Sequence, residues 1–261
     1  MSSVLDDIIV GVRKDLHERR QATSLGHLEA RIQTRRAALE VLPQLRRPGL
    51  GVISEVKRSS PSKGALAEIT DPAELAAAYQ AGGAIAISVL TEKHRFNGSL
   101  ADLDAVRERV EIPVLRKDFI VDDYQVWESR AHGADLVLLI VAALDDAELR
   151  RLHTLVTDLG MTPLVEVHTP DEARRAADLG AELVGVNNRN LKTLEVDLAQ
   201  FGRLVDLLPA EAVKVAESGV FTPEDAALVH SQGADAILCG EALVRHGDPA
   251  GAIAAMIAAC R

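Results

Sequence analysis

The sequence predicts a (β/α)8 barrel preceded by an extra helical segment, and three observations predict it. Four stretches resemble one another: "YQAGGAIAISVL", "SRAHGADLVLLI", "ADLGAELVGVNN" and "HSQGADAILCG". Each is a helix-like end, then Gly-Ala, then a short apolar run. Glycine takes the left-handed cap that ends a helix, and such a run fits a strand buried on both faces. The second observation is the count. Apolar runs near 51–57, 84–91, 112–118, 135–142, 162–168, 183–188, 213–217 and 236–240 give eight strands separated by helical patterns. The third is size: eight βα units in about 250 residues is the length of such a barrel. A doubly wound sheet is the runner-up. It calls for a G-x-G-x-x-G turn after its first strand, and that turn is missing from the sequence.

The elements follow in order. Residues 1–48 precede the first strand. Within "SVLDDIIVGVRKDLHERR", Val4, Leu5, Ile8, Ile9, Val12 and Leu16 recur at helical spacing, with Ser3 as the cap. This segment is expected to pack on a single barrel domain spanning 49–261. "RRQ" and "TRRAALE" read as solvated helix faces. "DPAELAAAYQAG" starts on Asp71 with Pro72 in the first turn. "TPDEARRAADLG" and "TPEDAALVHSQG" repeat that start with Thr-Pro and end in Gly. Tyr124 and Trp127 fall in a helical pattern and are expected to pack. Cys239 reads as a small core residue, and His168 as packed or hydrogen-bonded at a strand end.

Composition narrows the function. The chain has 261 residues, 48% hydrophobic and 3% aromatic, with net charge -10 and pI about 5.3. An acidic chain is a poor binder of nucleic acid or anionic membrane, and few aromatics leave little for base stacking. Cys239 and Cys260 form neither a metal spacing nor a disulfide framework, which fits a reducing cytosol. The start lacks a basic segment followed by an apolar one, so no signal peptide is expected. The longest apolar run, "LVLLIVAAL", is too short to span a bilayer.

In such a barrel the active site lies at the C-terminal ends of the strands. In "ISEVKRSSPSKG", alternation aims Ile53, Glu55 and Lys57 at one face. Strand three ends in Arg116, Lys117 and Asp118, and strand five carries Glu166. Strand six ends in Asn187, Asn188 and Arg189, and strand seven in Glu217, Ser218 and Gly219. A lone buried Lys–Glu pair is more often structural than catalytic. Two amines and three carboxylates at one mouth exceed what a core needs, since buried charges are costly to desolvate. "ESGVFTPED" and "LCGEALV" place small residues between a strand and a helix start, where backbone N–H groups suit an anion. "SSPSKG", with Lys63, offers to close over an anionic ligand from the other side.

From about residue 51 to 245 the sequence resembles the indole-3-glycerol phosphate synthase family. The resemblance is carried by "EVKRSSPSKG", "ISVLTEKHRFNGSLADL", "PVLRKDFIVDDYQ", "GADLVLLI", "LVEVHT", "VGVNNRNL", "VAESGV" and "GADAILCGEALVR". The family also has an extra helix before its barrel. The resemblance implies 1-(2-carboxyphenylamino)-1-deoxyribulose 5-phosphate as substrate, with ring closure and loss of carbon dioxide and water. It implies no metal and no organic cofactor. It makes Lys117 the acid at the ketone, Lys57 the carboxylate holder, and Glu166 a general base or acid near the leaving hydroxyl. Glu55, Asn187 and Glu217 orient the lysines and the substrate hydroxyls. Ser60, Arg189, Ser218, Gly219 and Gly240 resemble substrate and phosphate contacts, and Phe96 and Phe119 flank the aryl ring. Glu241 stands where some members have Ser, which leaves its backbone N–H as a phosphate contact. Partner enzymes of the tryptophan pathway are expected as separate chains.

Three alternatives stay open: a sister phosphate-binding barrel such as an Amadori isomerase, a Schiff-base aldolase with Lys117 as nucleophile, and a non-catalytic binding barrel. An isomerase has less use for two mouth lysines. The full set of polar strand ends speaks against a mere scaffold.

Overall fold

The computed structural model describes residues 4–60, 64–65, 69–190, 194–245 and 247–261, with the main chain alone at 60, 64 and 65. Eight parallel strands close into a barrel: β1 (Gly51–Val56), β2 (Ala86–Leu90), β3 (Val114–Lys117), β4 (Leu136–Ile140), β5 (Thr162–Val167), β6 (Leu183–Asn187), β7 (Val213–Glu217) and β8 (Ala236–Cys239). Closure is made between the first and last strands, where Gly51 pairs with Ala236 and Ser54 with Cys239. The seam is close-packed: a Cβ on Gly51 would stand 2.6 Å from Ile85 Cδ1, so Ile85 would have to shift.

The Gly-Ala repeats do what their chemistry requires. Gly83, Gly133, Gly180 and Gly233 all have positive φ, between 78° and 102°, and each turns a helix end into the next strand. Where Asp follows the Gly-Ala, it anchors the start of the strand. Asp135 accepts hydrogen bonds from Val114 N and Leu39 N, each at 2.8 Å, and from Arg107 at 2.5 Å. Asp235 accepts from Lys214 N at 2.8 Å. These carboxylates sit at the opposite end of the barrel from the mouth, where such residues serve stability. The caps follow the sequence as well. Asp71 accepts from Ala73 N and Glu74 N, Thr169 from Glu172 N, and Thr222 closes a capping box with Asp225.

Before the barrel come α1 (Val4–Ala22) and α2 (Leu25–Gln33). Leu5, Ile8, Val12 and Leu16 are buried, as their spacing predicts. Ser3, the expected cap, lies outside the described residues. Two readings of this segment need correction. "TRRAALE" is not a helix face: α2 ends at Gln33, and residues 36–41 run irregularly to the barrel, tied by the Leu39–Asp135 bond. Arg35 there reaches Asp104 at 3.1 Å and the Ala131 carbonyl at 3.0 Å. Arg19, in "RRQ", donates to the buried Glu128 at 2.8 Å. Arginines with long stems read as solvated when the acids they meet are far away in sequence. Tyr124 joins a small cluster with Leu16, Leu28 and Ala131, and Trp127 packs against it.

Candidate active site

The strands place a cavity of about 140 Å³ inside the mouth. Alternation along β1 works as expected: Glu55 and Lys57 both line it. Lys57 Nζ donates to Glu55 Oε1 at 2.5 Å. From β3, Lys117 enters the same space. Its Nζ donates to Glu166 Oε2 at 3.0 Å and stands 2.9 Å from Glu217 Oε2. Asn187 and Arg189, from the end of β6, also line the cavity. The Asn187 Oδ1 accepts from Arg189 N at 3.0 Å, which fixes the side chain against its own turn. The Arg189 guanidinium donates to the Leu194 carbonyl at 2.8 Å and so holds the loop after β6.

The charges of this site have been pulled apart. Burial disfavours the Lys117 ammonium, but the carboxylates of Glu166, Glu217 and Glu55 outweigh it and hold the amine protonated well above its usual range. Burial also pushes Glu166 up, yet the Lys117 charge and the hydrogen bonds from Lys117 and Asn187 keep it below the ordinary carboxylate range. Glu217 goes the other way. Burial raises it, Lys117 lowers it, Glu166 raises it again, and the outcome is about 8. Among the described residues neither Glu217 oxygen has a well-directed hydrogen bond. The ion pair with Lys117 is thus one of distance and not of alignment. Gly185 makes room for this group: a Cβ there would lie 1.9 Å from Glu217 Oε1. Two carboxyl groups with opposite shifts around one ammonium are the arrangement that separates a base from an acid at neutral pH.

Opposite the charges, Phe96 and Phe119 face each other with ring centroids 6.2 Å apart and planes at 38°, both on the cavity wall. On the remaining side lie Ser218, Gly219, Gly240 and Glu241. Ser218 and Gly219 both have positive φ, 63° and 84°. A Cβ on Gly240 would stand 2.7 Å from the Glu55 carbonyl oxygen, so only glycine lets β8 turn this close to β1. The Glu241 carboxylate pairs with Arg245. Arg245 also lies over the Phe221 ring, 4.7 Å from its centroid.

Every expected site residue with a described side chain therefore meets in one cavity. Ser60 is the exception, since its side chain lies outside the described residues, as does Lys63. His168 is hydrogen-bonded, as read from the sequence, through Nδ1 to the Asn187 carbonyl at 2.7 Å. Cys239 is buried but also lines the cavity, and burial pushes its thiol up to about 12, which removes it as a nucleophile at neutral pH. Sequence reasoning missed one wall altogether. Val4, Leu5 and Ile8 of α1 lie over the mouth. Their spacing marked them as buried, but nothing local in the sequence says against what.

A closed eight-stranded parallel barrel, with lysine ammonium groups held among carboxylates at its C-terminal mouth, defines a barrel enzyme with acid–base chemistry. Residues 5–256 match the family model for indole-3-glycerol phosphate synthase. An indole-3-glycerol phosphate synthase of a Nocardioides species is 62% identical over 97% of this chain and 98% of its own length. A Streptomyces coelicolor protein named indole-3-glycerol phosphate synthase 1 is 60% identical over 98% of this chain and 96% of its own. The chain belongs to the indole-3-glycerol phosphate synthase family. Among solved structures, 3-hexulose-6-phosphate synthase shares the fold with a TM-score of 0.61 at 19% identity, covering 82% of this chain and all of that one. An N-acetylmannosamine-6-phosphate 2-epimerase from Clostridium perfringens does so with a TM-score of 0.61 at 16% identity, over 81% of this chain and 94% of that one.

Proposed function

We propose that this protein converts 1-(2-carboxyphenylamino)-1-deoxyribulose 5-phosphate into indole-3-glycerol phosphate. The observation that carries the reading is the placement of Lys117, Nζ within 3.0 Å of Glu166 and 2.9 Å of Glu217, in a cavity that also holds the Lys57–Glu55 pair. The aryl carbon bearing the carboxylate attacks the ketone carbon. The ketone oxygen takes a proton from Lys117 as the new bond forms. Lys57 pairs with the substrate carboxylate until the carboxyl carbon leaves as carbon dioxide, its bonding electrons restoring the aromatic ring. The hydroxyl then leaves as water, protonated by an acid, while a base removes the ring proton that completes the indole. Glu166, held as a carboxylate by Lys117, is the base beside this hydroxyl, and Lys57 assists. Glu55, Asn187 and Glu217 orient the lysines and the sugar hydroxyls. Phe96 and Phe119 flank the aryl ring. The turns at Ser218–Gly219 and Gly240–Glu241 take the phosphate through backbone N–H groups, joined by Arg189 and Ser60.

The aldolase alternative needs Lys117 as a free amine. Its carboxylate surroundings favour the ammonium instead. Residues 1–48 are read as an extension of one barrel domain, because Leu5, Ile8, Val12, Val41 and Leu45 join the barrel's own core. A cytosolic setting and separate partner enzymes belong to the same reading. Among the described residues, no helix is long and apolar enough to cross a membrane.

The test is purified protein with the carboxyphenylamino substrate, followed by the appearance of indole absorbance. Conversion supports the reading. Recovery of unchanged substrate, or of a borohydride-trapped Lys117 adduct, overturns it.

A further inference from the structure

We propose that Glu92 is a positioning residue that sets the aryl wall of the site by holding the loop that carries Phe96. The inference rests on the function proposed above.

Glu92 follows β2 by two residues and is buried. It does not line the active-site cavity. It sits instead in a separate cavity of about 400 Å³ beneath α1, beside Val12, Asp15 and Arg19. Its carboxylate accepts three backbone hydrogen bonds. Oε1 takes His94 N at 2.9 Å, while Oε2 takes Arg95 N at 2.7 Å and Phe96 N at 3.1 Å. The loop closes behind it, with Gly98 N donating to the Glu92 carbonyl at 2.9 Å. Two further features show that the path of this loop is tightly set. Asn97 has φ 53°, and a Cβ on Gly98 would lie 2.2 Å from the Leu90 carbonyl oxygen.

The loop carries Phe96 to its place opposite Phe119. Phe119 is fixed by a second buried carboxylate, since Asp118 Oδ1 accepts from Phe119 N at 2.8 Å. Thr91, the residue before Glu92, donates its hydroxyl to Asp118 Oδ2 at 2.6 Å. The paired rings of the aryl wall thus hang on Glu92 and on Asp118. His94, on the same loop, reaches Asp15 of α1 at 2.9 Å, so the clamp also meets the helix that covers the mouth.

A carboxylate that gathers three N–H groups has work that an amide cannot repeat. Glu92→Gln keeps the shape and one acceptor oxygen, but presents an NH2 group to N–H donors. An aryl wall grips substrate and transition state alike, so its loosening raises KM more than it lowers kcat. KM for the carboxyphenylamino substrate is expected to rise about tenfold in Glu92→Gln, with kcat within about threefold of wild type.

The experiment combines steady-state kinetics of wild type, Glu92→Gln, Phe96→Leu and the double variant with amide hydrogen exchange at residues 94–96. The proposal predicts faster exchange at these amides in Glu92→Gln, and a double variant no worse in KM than Phe96→Leu alone. If the KM effects of the two substitutions multiply, Glu92 does not act through Phe96 and the proposal is overturned. Unchanged exchange overturns it too, as does an equal loss of kcat without a KM change. Should Glu92→Gln fail to fold, Glu92→Asp, which withdraws the charge by one methylene, is held to the same outcomes. A wild type that turns over no substrate overturns the functional reading, and the exchange measurement then decides the clamp by itself.

Discussion

Arg116 and Lys117 are neighbours on β3 and face opposite sides of the barrel wall. Both are buried cations, and they are buried differently. Arg116 points outward beneath the helix Asp123–Ala131 and is fully covered. Its guanidinium donates to Thr91 at 3.1 Å, Asp118 at 2.9 Å, Glu128 at 2.9 Å, Ser129 at 3.2 Å and the Gln125 carbonyl at 3.1 Å. Glu128 in turn takes Arg19 of α1. Each of its three nitrogens has an acceptor, which is what a structural charge requires. Lys117 faces inward to a cavity, beside a Glu217 carboxyl group without a well-directed partner. The difference teaches how to tell the two uses of a buried charge. The one whose carboxylate partners are all hydrogen-bonded holds the fold, and the one with an unsatisfied carboxyl neighbour is available for chemistry.

Arg116→Met is expected to break this comparison most heavily. It strands Asp118 and Glu128 in the wall, and removal of one partner from a buried ion network costs about 3–5 kcal/mol. Urea unfolding should show that loss, with kcat of the folded fraction much less affected. Next comes Lys57→Met, which removes the contact to the substrate carboxylate. KM should rise roughly 10–100-fold, as for a lost charge-assisted hydrogen bond. An analogue lacking the carboxylate should bind wild type and Lys57→Met equally. A smaller effect is expected from Gly219→Ala. Its φ of 84° and the 2.5 Å approach of Val196 Cγ1 strain any Cβ there. Inorganic phosphate should compete with substrate in the wild type, and roughly tenfold less well in this variant.

A further prediction is a pH dependence. Glu217 is raised in the folded protein from 4.5 to about 8. The folded state therefore binds the extra proton between those values, and stability falls as pH rises through that window. Glu217→Gln removes the group. The melting temperature of wild type relative to this variant should decline from pH 5 to pH 8, whereas parallel curves would contradict the shift.

How much of the fold and the site is legible in the sequence depends on distance along the chain. The two-residue period of a strand is enough to put Glu55 with Lys57 on one face, and the strand ends expose Lys117, Glu166, Asn187 and Glu217. The Gly-Ala repeats mark the strand starts because a positive φ after a helix is a local demand. What stays hidden is pairing at long range. Arg19 meets Glu128 across 109 residues, and Arg35 meets Asp104 across 69, so both look solvated in the sequence. The three apolar side chains of α1 over the mouth are hidden for the same reason. Glu92 escapes notice because a carboxylate that binds main-chain N–H groups in a loop has no periodic signature.

The most direct test of the contrast within β3 is the pair Lys117→Met and Arg116→Met, each measured for kcat and for unfolding free energy. Lys117→Met should lose at least about 10²–10⁴-fold in kcat, the worth of a general acid, with its circular dichroism intact. Arg116→Met should lose stability first. Near-normal turnover in a well-folded Lys117→Met would remove this lysine from the chemistry and contradict the account.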